Sequence, residues 1–188
     1  MKILPKEGYF EYEEKRSKFL ACCTPVKTEE EAKAIINKIR KAHPKANHNV
    51  FAYELRTGGI TRMSDDGEPT GTAALPILHL FQKTGVVDYV CVVTRYFGGT
   101  MLGSGGLVRA YGKAAKGAME AAAPEEEILF KIYRLTCHYN QFDKLKYNFD
   151  KWEIEIQNVE YTDHCLITAK VTEHQESVFQ SGDFYRIL

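Results

Sequence analysis

Arg95–Tyr111 reads RYFGGTMLGSGGLVRAY, and it follows the apolar run Val86–Thr94, VVDYVCVVT. Five glycines, Gly98, Gly99, Gly103, Gly105 and Gly106, therefore stand between a strand-like stretch and a helix-like one. The valine-rich run lacks polar alternation, which predicts a strand buried on both faces or central in its sheet. Gly105–Ala123 predicts a helix whose stripe of Leu107, Tyr111, Ala114, Ala115, Ala118 and Met119 is mostly small, so that it can lie close on a sheet. Pro124 ends it. The glycine-rich turn between them has two readings. Backbone N–H groups can converge there on an anion at a helix N-terminus. Alternatively, the glycines only permit positive φ and close helix-on-sheet packing.

The flanking elements follow the same logic. Tyr9–Lys15 and Ser17–Val26 read as a hairpin turning near Arg16. Thr28 and Glu31 form a capping box for a helix whose apolar face is Ala32, Ile35, Ile36 and Ile39, stopped by Pro44. Asn49–Leu55 is a third strand, and Arg56–Gly71 a long loop. A second helix follows Thr72 and begins near Leu75, because Pro76 is tolerated only in a first turn. Beyond Pro124 the polar junction Glu125–Glu127 separates two domains, 1–124 and 125–188. In the second, Ile128–Tyr139 is strand-like and Asn140 caps a helix through Phe149. Trp152–Tyr161 and Cys165–Thr172 form a hairpin. A helix over Glu173–Ser181 and a last strand over Phe184–Leu188 complete a ferredoxin-like βαββαβ order. The fold class is α+β.

With 188 residues, 44% hydrophobic and 27% charged, the chain can bury a core beneath a solvated surface. It is formally neutral, which excludes nucleic-acid binding by bulk charge, although the first quarter is basic and the last third acidic. Its five cysteines include no C-x-x-C pair, which argues against a zinc ribbon or redox motif. No apolar stretch is long enough to span a membrane. The start lacks a signal core, so a cytoplasmic protein is expected.

Two clusters carry candidate chemistry. In the glycine loop, Gly98 and Gly103 have P-loop spacing, but Ser104 stands where lysine is needed. A dinucleotide fingerprint fails at Val108. An anion nest remains through Ser104, Gly105 and Gly106, beside Gly99, with Arg109 one turn into the helix and Arg95 at the strand end. Tyr96, with Tyr53, Phe97 and Tyr111, could stack on bases or belong to the core. The second cluster is Ser64–Thr72, SDDGEPTGT. Asp65, Asp66 and Glu68 are candidate magnesium ligands or acid–base groups; equally, Asp-Gly and Glu-Pro are ordinary turn chemistry. His43 and His48 flank PKAN without an evident third metal ligand, and His48 reads as a structural hydrogen-bond donor.

HNVFAYEL from His48, SDDGEPTGTA from Ser64, RYFGGTMLGSGGLVRAY from Arg95 and RSKFLA from Arg16 together resemble the signature blocks of the YigZ/IMPACT family. The resemblance covers about residues 8–124, and the tail resembles the small domain that follows in bacterial members. It implies an N-terminal βαβ-containing sandwich similar to domain IV of elongation factor G, and a ferredoxin-like C-terminal domain. It assigns no reaction and no catalytic residues.

The expected function is a translation-associated regulatory protein that binds RNA or the ribosome through an anion-binding groove. That groove combines Arg95, Tyr96, Gly98, Gly99, Gly103, Ser104, Gly105, Gly106 and Arg109 with His48, Ser64, Asp65, Asp66, Glu68, Thr70 and Thr72. One alternative is a magnesium-dependent enzyme acting on a nucleotide or other phosphorylated small molecule. Another is a regulator of a protein partner without a small ligand.

Overall fold

A computed structural model describes residues 1–176. The chain divides into two compact units, Met1–Glu127 and Ile128–Leu188.

The first unit begins with β1 (Lys2–Ile3), followed by β2 (Gly8–Glu14) and β3 (Ser17–Pro25). The β2–β3 turn is tight, with Lys15 and Arg16 both at positive φ. Helix α1 (Glu29–Ala42) starts at the Thr28–Glu31 capping box. Strand β4 (His48–Leu55) then pairs with β5 (Ile60–Ser64), Leu55 opposite Ile60. This hairpin replaces much of the long loop expected over Arg56–Gly71. The remaining elements are α2 (Ala74–Thr84), β6 (Tyr89–Tyr96), α3 (Ser104–Ala121) and β7 (Glu125–Glu126). Pro76 lies in the first turn of α2, where its missing N–H costs nothing.

The five-stranded sheet has the order β2-β3-β6-β4-β5, antiparallel throughout. β3 and β4 are thus parallel to each other, with α1 crossing between them and β6 inserted in the gap. β6 is central, and helices cover the sheet on both sides. Val90 and Val92 meet Ala32 and Ile36 of α1. Tyr89, Cys91 and Val93 meet Ile77 and Phe81 of α2 and Tyr111, Ala114 and Ala118 of α3. Two helical layers explain the unbroken apolar run in this strand.

Strand β7 pairs with β1, and Arg56 donates to both Asp88 and Glu127. The first unit therefore extends three residues past Pro124. Burial opposes ionisation of Asp88, but hydrogen bonds from Arg56 and Lys27 outweigh it and lower its pKa.

The core contains a polar group that no described residue partners. Tyr89 is fully buried and stacks on Phe81 at 3.7 Å between centroids, yet among the described residues its hydroxyl has no hydrogen-bond partner. Tyr89→Phe is therefore expected to leave stability unchanged or raise it by about 1 kcal/mol, read from the urea midpoint at constant slope.

The second unit contains β8 (Phe130–Cys137), α4 (Tyr139–Lys151), β9 (Glu155–Tyr161) and β10 (Cys165–Thr172), and its three strands form a sheet of order β8-β10-β9. Its core unites Tyr133 and Leu135, Leu145 and Phe149, and Ile167, Ala169 and Val171. His138 precedes α4 and its backbone N–H donates to Gln141 Oε1, so the helix starts before Asn140 rather than being capped by it. Residues 173–176 are helical. The rest of that expected helix and the strand expected over Phe184–Leu188 lie outside the described residues. Among the described residues, no helix is long and apolar enough to cross a membrane.

Candidate functional site

Both motifs meet at one end of the five-stranded sheet. β6 delivers Arg95 there, and the inward parity of Tyr89, Cys91 and Val93 carries Arg95 to the same face, 5% exposed. Arg95 Nη1 donates to Glu68 Oε1 at 2.6 Å, and the Tyr111 hydroxyl of α3 donates to the same oxygen at 2.7 Å. One carboxylate of the SDDGEPT segment thus ties strand β6 to helix α3. Burial first, then the bond to Glu68, pushes the Tyr111 phenol well above its ordinary pKa. The guanidinium also donates to Ser17 Oγ and lies 5.5 Å from the centroids of both Phe19 and Phe97.

This placement corrects the expectation that Arg95 reaches an anion in a groove. It is an interior cation with an interior counter-charge. Tyr96 is likewise engaged, through a 2.9 Å contact with His43 Nδ1 at the end of α1. Tyr53 and Tyr111 belong to the core, whereas Phe97 is exposed.

The three carboxylates do not share a ligand set. Asp65 accepts from the backbone N–H groups of Gly71, Ala73 and Ala74 at 2.9, 3.1 and 2.8 Å, and so caps α2 from six or more residues upstream. Asp66 accepts from Asn49 N at 2.6 Å and Arg40 Nη2 at 3.0 Å, fastening the loop to β4 and α1. Glu68 serves Arg95 and Tyr111. Among the described residues no group of three His, Cys, Asp or Glu side chains is placed to hold a metal. His48 Nδ1 contacts Asp66 O at 2.9 Å, a loop-tethering role, with Nε2 3.8 Å from Glu68. Ser64 Oγ accepts from Asp66 N, and Thr72 Oγ1 donates to Pro69 O at 2.6 Å. Thr70 is exposed. Asp65→Ala is expected to cost about 2 kcal/mol, since three orphan N–H groups at the start of α2 lose a charged acceptor. A denaturant titration reads that loss.

The glycine segment is shaped differently. Gly98 packs on the β2–β3 turn: a Cβ there would stand 2.0 Å from the Arg16 carbonyl carbon and oxygen. Gly99 and Gly103 are at φ 83° and 75°. Phe97 N donates to Asn47 Oδ1, and Gly98 N to Ser17 Oγ, which pins the start of the loop. Helix α3 then begins after Gly103 with no side-chain cap and no acidic residue in its first turn. Among the described residues nothing accepts from the N–H groups of Ser104, Gly105 or Gly106; Leu107 N is the first bonded, to Gly103 O. Arg109 is exposed in the next turn, and among the described residues no acidic side chain pairs with it. Lys15 and Arg16, exposed on the turn beneath Gly98, complete the surroundings.

Sequence reading missed Lys15, Ser17, Arg40 and Asn47. Their contacts span long separations, and the R-S-K of RSKFLA was the only local signal.

The fold and this end of the sheet define a two-domain α+β protein built on an Impact N-terminal domain, whose sequence model matches residues 15–119. The chain belongs to the IMPACT family. It is 34% identical to the IMPACT family member YvyE of Bacillus subtilis, over 87% of this chain and 76% of that protein. It is 33% identical to the IMPACT family member YigZ of Escherichia coli, over 92% of this chain and 87% of that protein. A crystal structure described as that of a hypothetical protein superposes with a TM-score of 0.64 at 28% identity, covering 98% of this chain and 94% of the other.

Proposed function

We propose that this chain is a translation-associated RNA-binding protein that holds backbone phosphate at the N-terminus of α3. One observation carries the reading: the start of α3 is left open while its neighbours are closed. Thr28 and Glu31 cap α1, and Asp65 caps α2. Among the described residues, the amides of Ser104, Gly105 and Gly106 have no acceptor and no acidic side chain in the first turn. Their partial positive charge adds to the exposed Arg109 guanidinium. Exposed Phe97 and Met101 border the loop and offer a base-stacking edge, with Lys15 and Arg16 beside it. A few focused cations suffice here, which fits a chain of zero net charge.

The test is a fluorescence-anisotropy titration of labelled single-stranded RNA at several salt concentrations. Binding is expected to weaken with salt, with a log–log slope of about 0.7 per phosphate contacted. Arg109→Glu is expected to weaken binding about 10-fold or more and to lower that slope by about one contact. Binding that ignores both salt and Arg109 sinks the reading and leaves the Phe97–Met101 edge as a surface for protein.

A further inference from the structure

Four of the five cysteines stand in two directly opposed cross-strand pairs. Cys23 on β3 faces Cys91 on β6, and Cys137 on β8 faces Cys165 on β10. Opposed residues of antiparallel strands share a face, so each pair places its thiols side by side.

The pairs differ in their freedom to close. Opposed Cβ atoms are about 4.5–5.5 Å apart, whereas a disulfide needs about 3.5–4.5 Å. The strands must therefore draw together by roughly 1 Å. Cys23 and Cys91 sit inside their strands, with Cys22 opposite Val92 on one side and Thr24 opposite Val90 on the other. That ladder resists contraction, and both thiols are 0% exposed. Cys137 is the last residue of β8 and Cys165 the first of β10. Beyond them lie the start of α4 and the turn 162–164 rather than more ladder, and Cys137 keeps 8% of its surface exposed.

We propose that Cys137 and Cys165 are a modification site that closes to a reversible intramolecular disulfide when a low-molecular-weight disulfide is the oxidant. One cysteine thiolate attacks a sulfur of oxidised glutathione and expels one glutathione thiolate, which takes up the proton. The second cysteine attacks the mixed disulfide and expels the other glutathione. Two thiols and one glutathione disulfide become one protein disulfide and two glutathione thiols. Burial raises the Cys137 pKa, so the first attack awaits local opening of the strand end. Residual strain keeps the closed bond readily reducible.

The experiment is incubation of the full chain with oxidised glutathione, acid quench, alkylation, and non-reducing peptide mapping by mass spectrometry. A peptide pair joined through Cys137 and Cys165, lighter by two hydrogens and released by dithiothreitol, is expected. Cys137→Ala and Cys165→Ala each abolish the link and trap glutathione on the remaining partner. The His138 and His164 rings, 4.7 Å apart beside the pair, give NMR signals that shift on closure. Glutathione on half-exposed Cys22 alone, a Cys23–Cys91 link without Cys137–Cys165, or five alkylated cysteines overturns the proposal. The wild-type map decides the matter even where a variant fails to fold.

Discussion

Replacing Arg95 by alanine is expected to lower the unfolding free energy of the first unit by about 3–5 kcal/mol. Arg95 and Glu68 have side chains 6% and 4% exposed and lie 2.6 Å apart. Truncating one leaves the other as a buried charge; the Glu68 carboxylate then keeps the Tyr111 hydroxyl and, at 3.8 Å, His48 Nε2, but no arginine. The loss is the penalty of an orphaned ion rather than the net worth of the pair. Arg95→Met combined with Glu68→Leu is therefore expected to recover most of the stability, which a urea double-mutant cycle measures. A single-mutant loss under about 1 kcal/mol contradicts a buried, desolvated pair.

Gly98→Ala is the second large effect, expected at about 3 kcal/mol, the upper end of what overpacking costs. The new methyl would meet the Arg16 backbone at 2.0 Å, and backbone is not a neighbour that rotates aside. Other glycines of the same loop provide internal controls. Gly99→Ala meets no atom but must hold φ 83°, for about 1–2 kcal/mol. Gly105→Ala, with only the tip of Arg109 nearby, is expected to be neutral or stabilising by up to about 1 kcal/mol. Equal costs at all three positions, read from urea midpoints, contradict the packing of the loop on the β2–β3 turn.

Strand β6 was legible because burial on both faces removes polar alternation. The Thr28–Glu31 cap was legible because its chemistry is local. β5 was not: ITRMS is an edge strand, held by its ladder with β4 rather than by an apolar face of its own. The carboxylates of SDDGEPT look the same in sequence whether they ligate a metal, cap a helix or bury a guanidinium. Only long-range partners distinguish these roles, and Arg40, Asn49, Arg95 and Tyr111 come from four different elements. One signal was present unused. Tyr89, Cys91, Val93 and Arg95 share a parity, so the arginine had to face the core and required a buried acid. With Arg95 removed from the groove, the proposed anion site contracts to the start of α3, Arg109 and the Lys15–Arg16 turn.

The backbone amides themselves report on that contracted site. In a two-dimensional nitrogen–proton NMR titration of the full chain with single-stranded RNA at low salt, the Ser104, Gly105 and Gly106 resonances are expected to shift saturably. Inorganic phosphate should move the same three more weakly, and added salt should reverse both effects. Shifts confined to other residues, with these three amides unmoved at saturation, contradict phosphate binding at the start of α3.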